Sequence, residues 1–184
     1  MIWNDKNLIT VLKNGGVAVM PTDTIYGIVG KAFSEPTVSR IYTIRKRSPE
    51  KPCIILIGDE GELKNFSIIL SEKQKQVLQN YWPGPVSIIL DCVDDSLKYL
   101  HRGTSTLAFR LPSSLSLREL LVQVGPLIAP SANPEGILPT QNIDQAKKYF
   151  GDSVDFSLDG DTLSGKVSKL IKLHKDGSVV VLRE

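Results

Sequence analysis

The chain has 184 residues, 41% of them hydrophobic and 23% charged, which is the composition of a globular protein able to bury roughly 70% of its unfolded surface. Its 22 basic and 20 acidic side chains leave a formal charge of only +2, which excludes a general cationic coat for nucleic acid and requires any anion site to be local. The two cysteines, Cys53 and Cys92, form no Cys-x-x-Cys pair, so a disulfide framework and a cysteine-zinc site are excluded.

Asp5 is placed to cap a first helix carrying Leu8, Val11 and Leu12, which Gly15 and Gly16 end before a strand VAVMP. The following TDTIYGIVGKAF is punctuated by glycine and predicted irregular. Ser34 and Pro36 open a second helix with Val38, Ile41, Tyr42 and the stem of Arg45 on its apolar stripe, running into a basic turn before a strand CIILI. A short helix is expected over residues 61–66, and Ser71 with Gln74 forms a capping box for a helix ending near Tyr81. After the breaker WPGP come the strand VSIILDC, an acidic loop around Asp94 and Asp95, the strand TLAFR, and a helix from Leu115 to Val124 stopped by Gly125. PLIAP is a further buried strand ending in SANPEG, Asn142 caps a helix to Phe150, and VDFSL, SKLIKL and SVVVLR are closing strands. Helices interleaved with short apolar strands predict an α/β fold, a twisted mixed sheet flanked by helices. No repeat or linker divides the chain, so one domain over residues 1–184 is expected. The start MIWNDKNLIT lacks the basic and apolar blocks of a leader, and no apolar run reaches about 18 residues, so a cytoplasmic protein away from membranes is expected.

Gly160, Gly165 and Lys166 have P-loop spacing, but Val167 replaces the magnesium-binding hydroxyl and SKLIKL alternates as a strand, which makes the match a coincidental turn. His101 and His174 sit in no HExxH or acid-flanked pattern and are read as surface histidines, while Asp91, Asp94 and Asp95 lack EF-hand spacing and are read as a solvated loop. No metal ligand set is predicted. Arg40, Arg45, Lys46, Arg47 and Lys51 face one acid, Glu50, within residues 40–51. Such a mixture of planar forks and compact charges suits a polyanion such as a nucleoside triphosphate, or else a solvated helix end complementing the dipole. Hydroxyls in Pro21–Gly27 and Ser131–Asn133 suit a small polar ligand, or ordinary turn chemistry.

In this order, PTDTIYG, RKRSPEKP, YWPGPVSIIL, TLAFRLP, IAPSANPEG and SKLIKL...VVVLR resemble the YrdC family of threonylcarbamoyl-AMP synthases over about residues 12–183. The resemblance implies a YrdC-like fold with a central concave cleft, and a nucleotidyltransferase that joins L-threonine, bicarbonate and ATP into threonylcarbamoyl-adenylate and pyrophosphate, with Mg2+ accompanying ATP and no permanently bound cofactor. The product would pass to partner proteins that modify an adenosine of tRNA. By position, Arg45 and Arg47 fall on the family's catalytic Lys-x-Arg pair. Arg47, Lys51, Thr106, Asn133, Thr140 and Arg183 fall on ATP-side positions, and Thr24, Arg110, Ser131 and Ser168 on threonine-side ones. Tyr26 and Trp82 are expected to pack cleft walls. Arg45 replaces the family's Lys, Asp161 a Gly, Lys169 a Thr, and Leu56 stands where longer members carry His, so a related amino acid remains open as substrate.

Two other functions fit part of the same sequence. A module of the same fold could hold double-stranded RNA or tRNA without chemistry, through phosphate contacts that weaken with salt. A carbamoyl-adenylate chemistry of the hydrogenase-maturation type resides in much longer chains.

Overall fold

The computed structural model describes residues 2–184. The carboxylate of Asp5 caps α1 (Lys6–Lys13) by accepting from the amides of Asn7 and Leu8, and Leu8 and Leu12 form its buried face. After β1 (Ala18–Pro21), the chain turns through Thr22, whose hydroxyl accepts from the amides of Thr24 and Ile25, and returns antiparallel as β2 (Tyr26–Lys31). The expected irregular segment is thus half strand. Its glycines mark close approach rather than a break, since a Cβ on Gly30 would collide with Thr37 and Ile41 of α2 (Glu35–Arg45).

Ser34 caps α2, and the capping box of Ser71 and Gln74 opens α3 (Glu72–Leu78), which stops three residues before Tyr81. Residues Glu60–Phe66 form a 3-10 helix between β3 (Ile54–Leu56) and α3. Beyond β4 (Val86–Asp91), the expected acidic loop is partly helical: Asp94 caps a 3-10 turn leading into α4 (Lys98–His101). Then follow β5 (Thr106–Arg110), α5 (Leu115–Val124), β6 (Leu127–Ile128), α6 (Ile143–Phe150), β7 (Phe156–Ser157), β8 (Lys169–Leu173) and β9 (Val179–Arg183). The strands make one mixed sheet in the order β7-β1-β2-β6-β3-β5-β4-β8-β9, so β7 sits at the edge opposite β9. Among the described residues no helix is long and apolar enough to cross a membrane.

Strand alternation divides the core. One face carries Val19, Ile28, Ile55, Phe109, Ile88 and Ile171 into the main cluster, together with residues from α2, α3, α4 and α6. The other face carries Ala18, Met20, Val29, Leu56 and Leu127 against α1 and α5. That second layer is incomplete: Ala108, Ile89 and Leu170 point to the same side as Ile54 but belong to neither cluster. The register pairs Ile54 with Ala108, and Ala108 with Ile89. The uncovered half of the sheet is where a ligand can reach the strands.

Candidate functional site

A pocket of about 380 Å³ lies on this uncovered half, with Ile54, Ile89, Ala108 and Leu170 as an apolar floor and Arg47 and Arg183 among its walls. Arg183 ends β9, its Nε and Nη2 donating to the Ser168 carbonyl at 3.1 and 2.7 Å, and burial pushes its pKa down. Arg47 follows α2, which Lys46 terminates in the left-handed conformation at φ 50°. Its Nε donates to the Lys51 carbonyl at 3.1 Å and its Nη2 to the Pro52 carbonyl at 2.8 Å, which fixes one edge of the guanidinium at the pocket wall. Thr106 lines the same pocket and shares a 3.1 Å hydroxyl contact with Thr104.

A smaller pocket of about 80 Å³ adjoins it, and the two share Ile54, Pro130, Ser131 and Arg183. Thr24, Arg110, Ser131 and Ser168 all line this smaller space. Arg110 is the last residue of β5, with its side chain only 6% exposed. Its Nη2 lies 3.0 Å from Asp23 and 3.3 Å from the Thr22 hydroxyl, while its Nε has no hydrogen-bond partner. Burial pulls the Arg110 pKa down, and the neighbouring Asp23 carboxylate offsets part of that pull. Asp23 is in turn held by the Ser113 amide. Ser168 Oγ lies 2.8 Å from Ser87 Oγ, both residues being buried.

Residues 160–167, the P-loop-like stretch, carry no helix, and Val167 at their end lines the smaller pocket. Tyr26 holds them, its hydroxyl donating to the Asp161 carbonyl at 2.9 Å and accepting from the Gly160 amide at 2.8 Å. Gly165 lies so close to the Thr24 carbonyl that any Cβ would clash.

The other expected site residues lie outside these two pockets. Arg45 is 2% exposed and anchors the loop after β6: Nε donates to the Asn133 carbonyl at 2.9 Å, and Nη2 reaches Ser131 Oγ and Asn133 Oδ1 at 3.3 Å. Asn133 spends its amide on the carbonyls of Pro134 and Ile137. Thr140 faces a third pocket of about 550 Å³ lined also by Ile25, Leu138 and Tyr149, and its buried hydroxyl has no hydrogen-bond partner. Trp82 donates to the Val86 carbonyl away from the pockets. His101, expected at the surface, is instead 3% exposed, its Nδ1 accepting from the Gly103 amide where α4 ends.

Lys51 turns outward to Glu135 at 2.5 Å, and the other Glu135 oxygen accepts from the Ser48 amide, tying the basic turn to the loop after β6. The Lys51 hydrogen bond, first, and the Ser48 amide hold the Glu135 carboxyl at about 2 instead of 4.5. A depressed carboxylate contributes stability above its unfolded pKa that is lost as pH falls toward the folded one, here from about 4.5 to about 2. Glu135→Gln is therefore expected to flatten the acid limb of a urea-midpoint-against-pH curve within that window and leave the neutral region's slope unchanged. An unchanged acid limb would show that the pair carries no linkage.

Sequence reasoning missed Asp23 and Ser87 as partners of site residues, and missed the pocket floor. The floor was within reach, since period-two alternation puts Ile89 and Ala108 opposite the core residues Ile88 and Phe109.

Residues 10–184 match the Sua5/YciO/YrdC family model, described as telomere recombination. The threonylcarbamoyl-AMP synthase of Coxiella burnetii is 30% identical over 151 residues, covering 81% of each chain. Of solved structures, P. abyssi Sua5 complexed with L-threonine superimposes with a TM-score of 0.87 at 26% identity, covering 100% of this chain and 54% of that one. E. coli YciO superimposes with a TM-score of 0.82 at 25% identity, covering 96% of this chain and 86% of its own. This chain thus spans about half the length of that Sua5.

Proposed function

The chain belongs to the Sua5/YciO/YrdC family, and we propose that it is a threonylcarbamoyl-AMP synthase that joins L-threonine, bicarbonate and ATP. The supporting observation is a pair of pockets sharing the wall of Pro130, Ser131 and Arg183, one with a buried arginine and hydroxyls, the other with an apolar floor between arginines. Threonine occupies the smaller pocket, its carboxylate on Arg110, the planar donor fork that such a group fits best. Thr24, Ser131 and Ser168 supply the short polar groups around the rest of the amino acid. ATP occupies the larger pocket, its base over the apolar floor beside Thr106 and its phosphates toward Arg47 and Arg183.

Threonine's amine and bicarbonate form a carbamate with loss of water. A carbamate oxygen then attacks the α-phosphorus, the bond to the β-phosphate oxygen breaks, and pyrophosphate leaves. Catalysis by this protein is therefore positioning and neutralisation of phosphate charge, which needs no side-chain nucleophile. Magnesium accompanies the nucleotide as Mg·ATP, held through its phosphate oxygens. The mixed anhydride product is reactive and calls for a partner that passes the threonylcarbamoyl group to tRNA. A purely RNA-binding role fits less well, because Arg47, Arg110 and Arg183 line two adjoining pockets of small-molecule size.

The test is pyrophosphate release from Mg·ATP and bicarbonate with L-threonine, with serine, or with no amino acid. Release that depends on threonine is the expected result. ATP binding without amino-acid-dependent release would overturn the assignment, and release with serine alone would relocate the specificity.

A further inference from the structure

Arg102 has no role in the reaction as derived so far, yet its placement is unusual. It ends α4 in the left-handed conformation, at φ 54°, which non-glycine residues seldom adopt. Its amide bonds the Lys98 carbonyl and its guanidinium carbon lies 3.9 Å from the ring centre of Tyr42. Its Nε and Nη2 are buried without a hydrogen-bond partner. A half-buried cation that forgoes two bonds must be held by the ring face, a cation–π contact in a low-dielectric setting.

Tyr42 connects this contact to the nucleotide pocket. Its hydroxyl donates to the Lys51 carbonyl at 2.8 Å, and the same carbonyl accepts from Arg47 Nε at 3.1 Å. The guanidinium of Arg47 is itself 6.0 Å from the Tyr42 ring centre. Burial pushes the Tyr42 pKa up to about 12, so the hydroxyl keeps its proton and goes on donating. Two residues beyond Arg102, Thr104 lines the larger pocket beside Arg47 and Cys53.

We propose that Arg102 is a positioning residue for the phosphate side of the nucleotide pocket, locking the Tyr42 ring so that Tyr42 and the Lys51 carbonyl hold Arg47 toward the substrate. The inference rests on the ATP-site assignment above, but concerns binding and is readable without turnover. Without Arg102 the ring is free to tilt, the Lys51 carbonyl loses one of its two donors, and Arg47 loses the geometry that presents its free edge.

The experiment compares direct binding of Mg·ATP and of adenosine, together with pyrophosphate release, in wild type, Arg102→Met, Arg102→Lys, Tyr42→Phe, Arg47→Ala and the double variant Arg102→Met/Arg47→Ala. Arg102→Met is expected to weaken ATP binding about tenfold, leave adenosine binding and the threonine KM unchanged, and add nothing further when combined with Arg47→Ala. Arg102→Lys, which keeps a cation over the ring, should restore most of the loss, and Tyr42→Phe should reproduce part of it by removing the hydroxyl. Equal weakening of ATP and adenosine, a lower melting temperature with unchanged ATP affinity, or full additivity with Arg47→Ala would each overturn the proposal. If wild type binds ATP but releases no pyrophosphate, the function assignment fails while the ATP-versus-adenosine comparison still decides the role of Arg102.

Discussion

Arg47→Ala is expected to lower threonine-dependent pyrophosphate release by about 10²–10³, the loss typical of one preorganised charge donor, while leaving the melting temperature within a degree or two. The two halves of this expectation have separate physical origins. Arg47 is half-buried, and its protein bonds go to the carbonyls of Lys51 and Pro52 at the pocket wall. Truncation lets water reach those carbonyls, so the stability cost stays within about 0.5 kcal/mol, as for other surface changes. Charge that accumulates as pyrophosphate departs loses its counter-charge in a site where water is a poor substitute, and that loss falls on kcat. Arg47→Lys keeps the charge but cannot bond both carbonyls and still face the pocket, so an intermediate loss is expected. Stopped-time assays at saturating ATP and threonine, with thermal melts on the same samples, check the result. Undiminished kcat in Arg47→Ala would move the phosphates elsewhere, with Arg183 as the remaining arginine of that wall.

What the sequence made legible was mostly local. Asp5, Ser34, Ser71 and Asn142 each accept from amides in the first turn of the helix they open, and such bonds depend on three or four residues only. The misread segments depended on distant chain. Tyr26–Lys31 is a strand because β1 and β6 flank it, and its glycines make room for α2, which no window of neighbours reveals. VDFSL was a recognisable strand, but its place beside β1 at the far edge is a topological fact. The same holds at the site. Arg45 and Arg47 are two positions apart, yet one turns inward to Asn133 and the other outward to the pocket, because α2 ends at Lys46 between them. The basic cluster left a polyanion site and a solvated helix end equally open; the direction of each side chain was set by packing. Asp23 lay in a quoted motif, but its value depends on meeting Arg110 across 87 residues of chain.

That buried pair gives the second large effect. Arg110→Ala is expected to abolish the threonine response and to destabilise the fold by about 3–5 kcal/mol, because the Asp23 carboxylate, 3% exposed, is left as an uncompensated buried charge. The two consequences are separable. In the double variant Asp23→Asn/Arg110→Ala no charge remains to be stranded, so much of the stability should return, while the threonine requirement should not. Urea midpoints read the first, and the threonine and ATP dependence of pyrophosphate release read the second. Recovery of the threonine response in the double variant, or an equal rise in the ATP requirement of Arg110→Ala, would show that Arg110 does not hold the amino acid. Asp23→Asn alone sharpens the point. It leaves Arg110 buried at 5% exposure without its counter-ion, so the free protein should melt lower than wild type. If threonine's carboxylate sits on that guanidinium, threonine becomes the missing counter-charge, and ligand linkage requires it to raise the melting temperature of Asp23→Asn by more than it raises that of wild type. An equal threonine shift in both proteins would place the carboxylate away from Arg110.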